Sequence, residues 1–457
     1  MERWLSGRKR LPRKQLSRDK WDRGFESHSL LQRKFLAVRS TGTILTLGIV
    51  SLCWVAALSA SVVDNRFFPL FTQVYFRKVD PIGTVDGDFF VMTGKEARNH
   101  RRDAVHMPEI YGKYDLSQVS HGLETVLGVN YVKPEWQAAK DLIATMEGKL
   151  QAPGLHLGCE RRLYEALSIG IQLDLMHVSS RIDFLVAPET TRQLKLDQGG
   201  TAEFQRAVSA TNRALGLDAD QWTATGLSDT DVYLRLARVR DYVLKCRQVD
   251  AGIKFGTYLP TGVLRDLDNP ASVPFGGNGH FGLYVEGEIN LELKEDWFLG
   301  FWTQFVYRFA KEQTLRLPAA NALFGPAALN FGALTGAGKV YPGATFCIAP
   351  YAAWRDIQNG FGGRLAYTYR QHASDSWLDL RADKSVPSNL ALVSDLTAWT
   401  SEYLTVGFVY SWRSVDDARA DYVPMLYLNW DQPVDFFNSD QGAVQTHRAS
   451  LGIEVDF

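Results

Sequence analysis

Histidine, serine and paired carboxylates are the side chains that carry acid–base and nucleophilic chemistry. In this chain of 457 residues they are dispersed. His106, His121, His177, His280, His372 and His447 stand in no catalytic spacing, and there is no G-x-S-x-G elbow. Asp416-Asp417 and Asp218/Asp220 have a spacing that can hold a cation, but such pairs are more often solvated turn residues. Gly276-Gly277 has no helix start behind it and therefore reads as a turn rather than a phosphate cradle. Cys159, Cys246 and Cys347 are far apart, and Cys53 lies in an apolar run, so neither a metal site nor a disulfide framework is indicated. The expectation is no enzyme, no catalytic residue, no metal and no cofactor.

A second set of charges is more informative because it alternates with apolar residues. From Phe281 to Lys294, Phe281, Leu283, Val285, Ile289, Leu291 and Leu293 share one face. Glu286, Glu288, Glu292 and Lys294 fall on the other. After a turn at Glu295-Asp296, Trp297, Leu299, Phe301, Phe305, Tyr307 and Phe309 repeat the pattern, with Arg308 opposed. Arg364 and Arg370 alternate in the same way with Phe361, Leu365, Tyr367 and Tyr369. If the apolar faces meet lipid, these seven charges line an interior, and their mixed signs suit a water-filled path with a transverse field.

The elements that must position them are amphipathic strands. Period-two alternation recurs at 167–175, 249–255, 404–412 and 450–457. The strands are longer than the roughly 5–6 residues usual in globular sheets and approach the ~9–11 that a tilted bilayer-spanning strand needs. Aromatics near the ends of the apolar faces fit interfacial girdles. The predicted fold is all-β, an antiparallel transmembrane β-barrel of roughly 12–16 strands. The composition agrees: charged residues at 22% are unremarkable because lipid-facing and lumen-facing residues average out.

The last strand is the most diagnostic. Leu451, Ile453, Val455 and Phe457 alternate with Ser450, Gly452, Glu454 and Asp456, and the sequence stops on the aromatic. This resembles the terminal strand of bacterial outer-membrane proteins. The resemblance implies that these four residues form the signal read by the barrel assembly machinery, and that outer-membrane lipid surrounds the protein. Length and an apolar loop from Leu317 to Tyr341 also give an architectural similarity to the FadL type of fatty-acid transporter. That family's Asn-Pro-Ala hatch motif is missing near the start; Asn269-Pro270-Ala271 falls mid-chain.

The head differs from the body. Residues 1–39 carry twelve basic and four acidic residues in a chain of net charge −1. They precede the uncharged run 41–60, which points to targeting rather than nucleic-acid binding. Residues 31–59 read as a signal peptide, with Ala57 and Ser59 at the small positions before cleavage. Residues 1–30 read as a spurious or disordered extension, and 60–457 as the barrel.

Short turns are expected at Glu295-Asp296, 356–359 and Ser401-Glu402, and long connections near 261–279, 314–341 and 375–385. With a further strand near 422–431, this assignment puts Phe457 on the wrong side of the membrane, a parity conflict. Helices are expected at Pro134–Leu150 and Thr201–Leu217, in connections or in the lumen. The functional expectation is an outer-membrane pore or passive transporter for small solutes, hydrophobic ones among them. A closed structural or adhesive surface barrel is the first alternative, and a barrel hydrolase the second.

Overall fold

The computed structural model describes residues 65–70, 82–139, 141–217, 220–241, 245–320, 329–412 and 423–457. The expected extension and signal peptide, with Asp218 and Asp416-Asp417, lie outside the described residues.

Twelve strands close into an antiparallel barrel. They are β1 (Gly83–Arg98), β2 (Ile143–Arg162), β3 (Leu167–Val186), β4 (Thr230–Asp241), β5 (Gln248–Leu259) and β6 (Gly282–Lys294). The series continues with β7 (Trp297–Arg308), β8 (Thr345–Gln358), β9 (Phe361–His372), β10 (Trp399–Ser411), β11 (Val423–Val434) and β12 (Ala443–Asp456). Each pairs with its neighbours in sequence. β1 closes the ring, with Phe89 opposite Leu155 on one side and Leu451 on the other. Closure leaves no unpaired edge, the condition for strands to stand in lipid.

The outward residues of β6 and β7 are large, apolar and exposed: Leu283, Val285, Trp297, Leu299, Phe301, Phe305 and Tyr307. So much contiguous apolar surface is incompatible with water and fits a bilayer.

The two ends of the barrel differ. At one, Gly83 donates its backbone N–H to the Phe457 carbonyl at 2.9 Å, and the turns at 163–166, 295–296 and 359–360 are short. Asn359 and Gly360 both take positive φ, 52° and 86°, as a tight hairpin turn requires. At the other end lie the long connections. They hold α1 (Leu116–Leu127), α2 (Pro188–Leu194), α3 (Gln198–Ala214), α4 (Leu390–Thr397) and a hairpin of Lys311–Leu317 with Leu334–Tyr341. Short turns mark the periplasmic rim of outer-membrane barrels and long loops the outer rim.

This resolves the parity conflict. Ser401-Glu402 is not a turn but part of β10, and the connection before that strand is residues 373–398. With that turn removed, the strand count is even and Phe457 returns to the short-turn rim.

The expected helix at Pro134–Leu150 is also corrected. Pro134–Trp136 is a single helical turn, and β2 begins at Ile143. The reason is physical. β2 and β3 are 20 residues each and rise above the bilayer. In that upper part Met146, Leu150, Met176, Val178 and Ile182 are buried inside, while Glu147, His177 and Arg181 face out. The alternation is thus inverted relative to the lower part, where Ile169 and Leu175 face lipid and Gln172 and Asp174 face in. The second helix exists as α3, capped by Asp197, whose carboxylate accepts the Gly200 N–H at 2.7 Å.

Candidate functional site: the lumen and its outer vestibule

The lower lumen is filled with charge in pairs. Lys254 Nζ lies 3.0 Å from Glu286 Oε1. Arg235 pairs with Glu288 and lies 3.6 Å from Glu160. Arg448 donates to Asp431 at 2.6 Å. His156 is held between Asp174 at 2.7 Å and Asp86 at 3.3 Å. The Tyr284 hydroxyl donates to both oxygens of Asp231, at 2.8 and 2.9 Å, and its ring stacks on Tyr258. All these side chains are buried. Buried charges persist only when paired and hydrogen-bonded, and here the partner lies on the adjacent strand, as for Lys254–Glu286 and Arg448–Asp431, or one strand further, as for Arg235–Glu288.

The seven charges singled out from the sequence are distributed as follows. Glu286, Glu288, Glu292, Arg308 and Arg370 are buried, and Arg364 is half-buried on the inward side of β9. Lys294 departs from the expectation: a bulge opposite Trp297 breaks the alternation at the end of β6 and leaves Lys294 exposed at the rim. Glu292 accepts the Asp296 N–H at 3.2 Å and so serves the turn. Arg308 lies high, 3.0 Å from Asp229, in the step between strand segment Gln221–Leu227 and β4. Of the C-terminal set, Leu451 and Ile453 are exposed on the outward face, and Phe457 packs at the rim over Gly83.

The upper lumen is different in kind. Phe68, Phe90, Met92, Met107, Ile110 and Tyr114 form a buried apolar cluster with the upper parts of β2 and β3. The apolar connection at 317–341 contributes to it: Phe331 packs edge-on against Tyr114, with centroids 5.0 Å apart. α3 adds Phe204, which meets Trp136. A narrow recess remains between Phe67, Met107, Ile110, Tyr111, Ile182 and Val273, with Arg265 and Asn330 at its polar side. Between the lining residues Pro108 and Ile110, Glu109 accepts the Met146 N–H at 3.0 Å, and burial pushes its carboxyl above the usual range.

Sequence reasoning missed the segment that joins the two regions. Asn65–Leu70 precedes the first strand and enters the barrel from the outer rim. Arg370 donates to the carbonyls of Asn65 and Phe68 at 2.8 and 2.7 Å. Thr446 donates to Phe67 O at 2.6 Å, and Arg448 to Leu70 O at 3.3 Å. Arg66 donates to the carbonyls of Leu396 and Thr397. Leu70 packs among Tyr233, Tyr258, Tyr284 and Trp302. The available signal was faint: an apolar run, Phe67-Phe68-Pro69-Leu70, with neither helical nor strand period.

No protein-family model and no curated protein matches the sequence. Solved structures resemble it. The COG4313 outer membrane channel from Pseudomonas putida F1 overlaps with a TM-score of 0.45 at 9% identity, covering 84% of this chain and 100% of that one. A mutant of the TodX monoaromatic hydrocarbon channel gives 0.31 at 9% identity over 82% and 90%. A Pseudomonas aeruginosa FadL homologue gives 0.29 at 7% over 83% and 90%. Independently of these likenesses, the closed ring, the apolar outer belt and the unequal rims identify the chain as a bacterial outer-membrane β-barrel.

Proposed function

We propose that this barrel is a passive channel for small hydrophobic solutes. The observation that carries the reading is the inversion of interior polarity, apolar above and ion-paired below. An apolar solute leaves water favourably for the upper vestibule, whose few polar groups can orient it. A lumen whose charges are already neutralised in pairs offers ions little field to follow. Asn65–Leu70 occupies the passage between the two regions, so transport requires that segment to shift.

The test compares cells with and without the barrel for entry of an apolar fluorescent probe across the intact outer membrane, with conductance measured in parallel in planar bilayers. Faster probe entry with small conductance is the expected result. Large, stable conductance steps without probe entry would replace this reading by a hydrophilic pore. Silence in both would leave the closed structural barrel.

A further inference from the structure

Three carboxylates converge at the outer rim on the outward side of the barrel. Glu402 belongs to β10, and Asp435 and Asp440 to the connection between β11 and β12; one oxygen of each lies within 4.8 Å of the others. Glu402 is 0% exposed and Asp440 3%. Among the described residues, the donors to Glu402 are neutral: the Tyr367 hydroxyl at 2.8 Å, the N–H groups of Phe436 and Phe437 at 3.0 and 3.3 Å, and the Ser439 hydroxyl. Asp440 is buried facing the other two, and its Oδ1 has no hydrogen-bond partner among the described residues. Against three acids, the described residues provide one ion pair, Arg98 to Asp435 at 3.4 Å.

Burying three carboxylates together against a single counter-charge is strongly unfavourable. The arrangement calls for a cation, and its ligand chemistry indicates which. Ligands are all carboxylate oxygen, the hard donors that calcium takes, without the histidine or cysteine that zinc prefers. Magnesium keeps most of its waters and takes one or two carboxylates, whereas calcium accepts several protein oxygens at once. We propose that Glu402, Asp435 and Asp440 bind a calcium ion that pins the β11–β12 connection to the outer face of β10. The aromatic pair Phe436 and Phe437, exposed at the same loop and packed against Tyr367, would be held at the membrane interface by that ion.

The experiment uses the full chain, folded in detergent and stripped with chelator. Calcium is titrated by calorimetry, and terbium, whose emission the adjacent Tyr367 can sensitise, is the second probe. The expected result is one calcium per barrel, displacement of terbium by calcium, and at least tenfold weaker binding in Asp440→Asn and in Glu402→Gln. Asp383→Asn, an exposed acid elsewhere, should bind as the parent does. Heat-modified gel migration establishes that each variant is folded. No calcium uptake by the folded parent overturns the proposal, and so does equal binding by the folded Asp440→Asn and Glu402→Gln variants.

Discussion

Arg308 of β7 stands 3.0 Å from Asp229, and both side chains are buried. Asp229 also accepts the Gly277 N–H at 2.7 Å, so the pair ties β7, the step before β4 and the 260–281 connection into one unit. Removing the cation alone would strand a buried carboxylate. Arg308→Ala is expected to destabilise the barrel by about 3–5 kcal/mol, whereas Arg308→Met with Asp229→Leu should recover most of that loss. Urea unfolding followed by tryptophan fluorescence measures both. Equal loss in the single and double variants would show that the pair is not the source.

Arg370 holds the internal segment by two carbonyls, at 2.8 and 2.7 Å. Its replacement by alanine should loosen Asn65–Leu70 without touching the strand ladder. Bilayer recordings are then expected to show larger or more frequent open steps, severalfold over the parent. Unchanged conductance in the folded variant would mean that this segment does not control the passage.

Phe67 lines the vestibule recess and is only partly buried, so a polar replacement there is tolerable. Phe67→Asp should slow entry of the apolar probe about tenfold, because a charge in the recess must be desolvated each time a solute passes. Gel migration should stay that of a folded barrel. Probe entry at the parent rate would remove the recess from the route.

His100 lies in the connection after β1, where burial, reinforced by the positive Arg66, lowers its imidazole to about 4. The folded state therefore favours neutral histidine. Above about pH 6.5 the group is neutral folded or unfolded and contributes no pH dependence. As pH falls from there towards 4 the unfolded chain takes the proton first, and stability declines by an amount on the order of 2 kcal/mol after discounting for partial exposure. Melting temperature across that window should fall in the parent and fall less in His100→Gln. Parallel slopes would assign the acid sensitivity elsewhere.

Strands such as β6, β7 and β12 were legible because large apolar residues alternate outward along most of their length. β2 and β3 were only half legible. Their upper parts leave the bilayer, the apolar side turns inward, and the stretch from Pro134 to Leu150 imitates a helix. Glu286 and Arg308 could be noticed from alternation alone. Their pairing with Lys254 and Asp229 could not, because it depends on register across strands and on the irregular step at 228–229. The acidic convergence at Glu402 was hidden for a similar reason: Ser401-Glu402 has the composition of a turn, and only the folded loop brings Asp435 and Asp440 over it.

The seam between β1 and β12 joins the two ends of the barrel, with Thr84 opposite Asp456. Contacts this far apart in sequence carry the largest loop-closure penalty and form late. Until β12 arrives, the first strand is an open edge inviting pairing with any extended chain nearby. The fourteen residues of β12 thus act as a timer: a nascent chain lacking them has every other hairpin available yet remains a sticky, unsealed sheet. Premature truncation should accordingly yield aggregation rather than a smaller barrel.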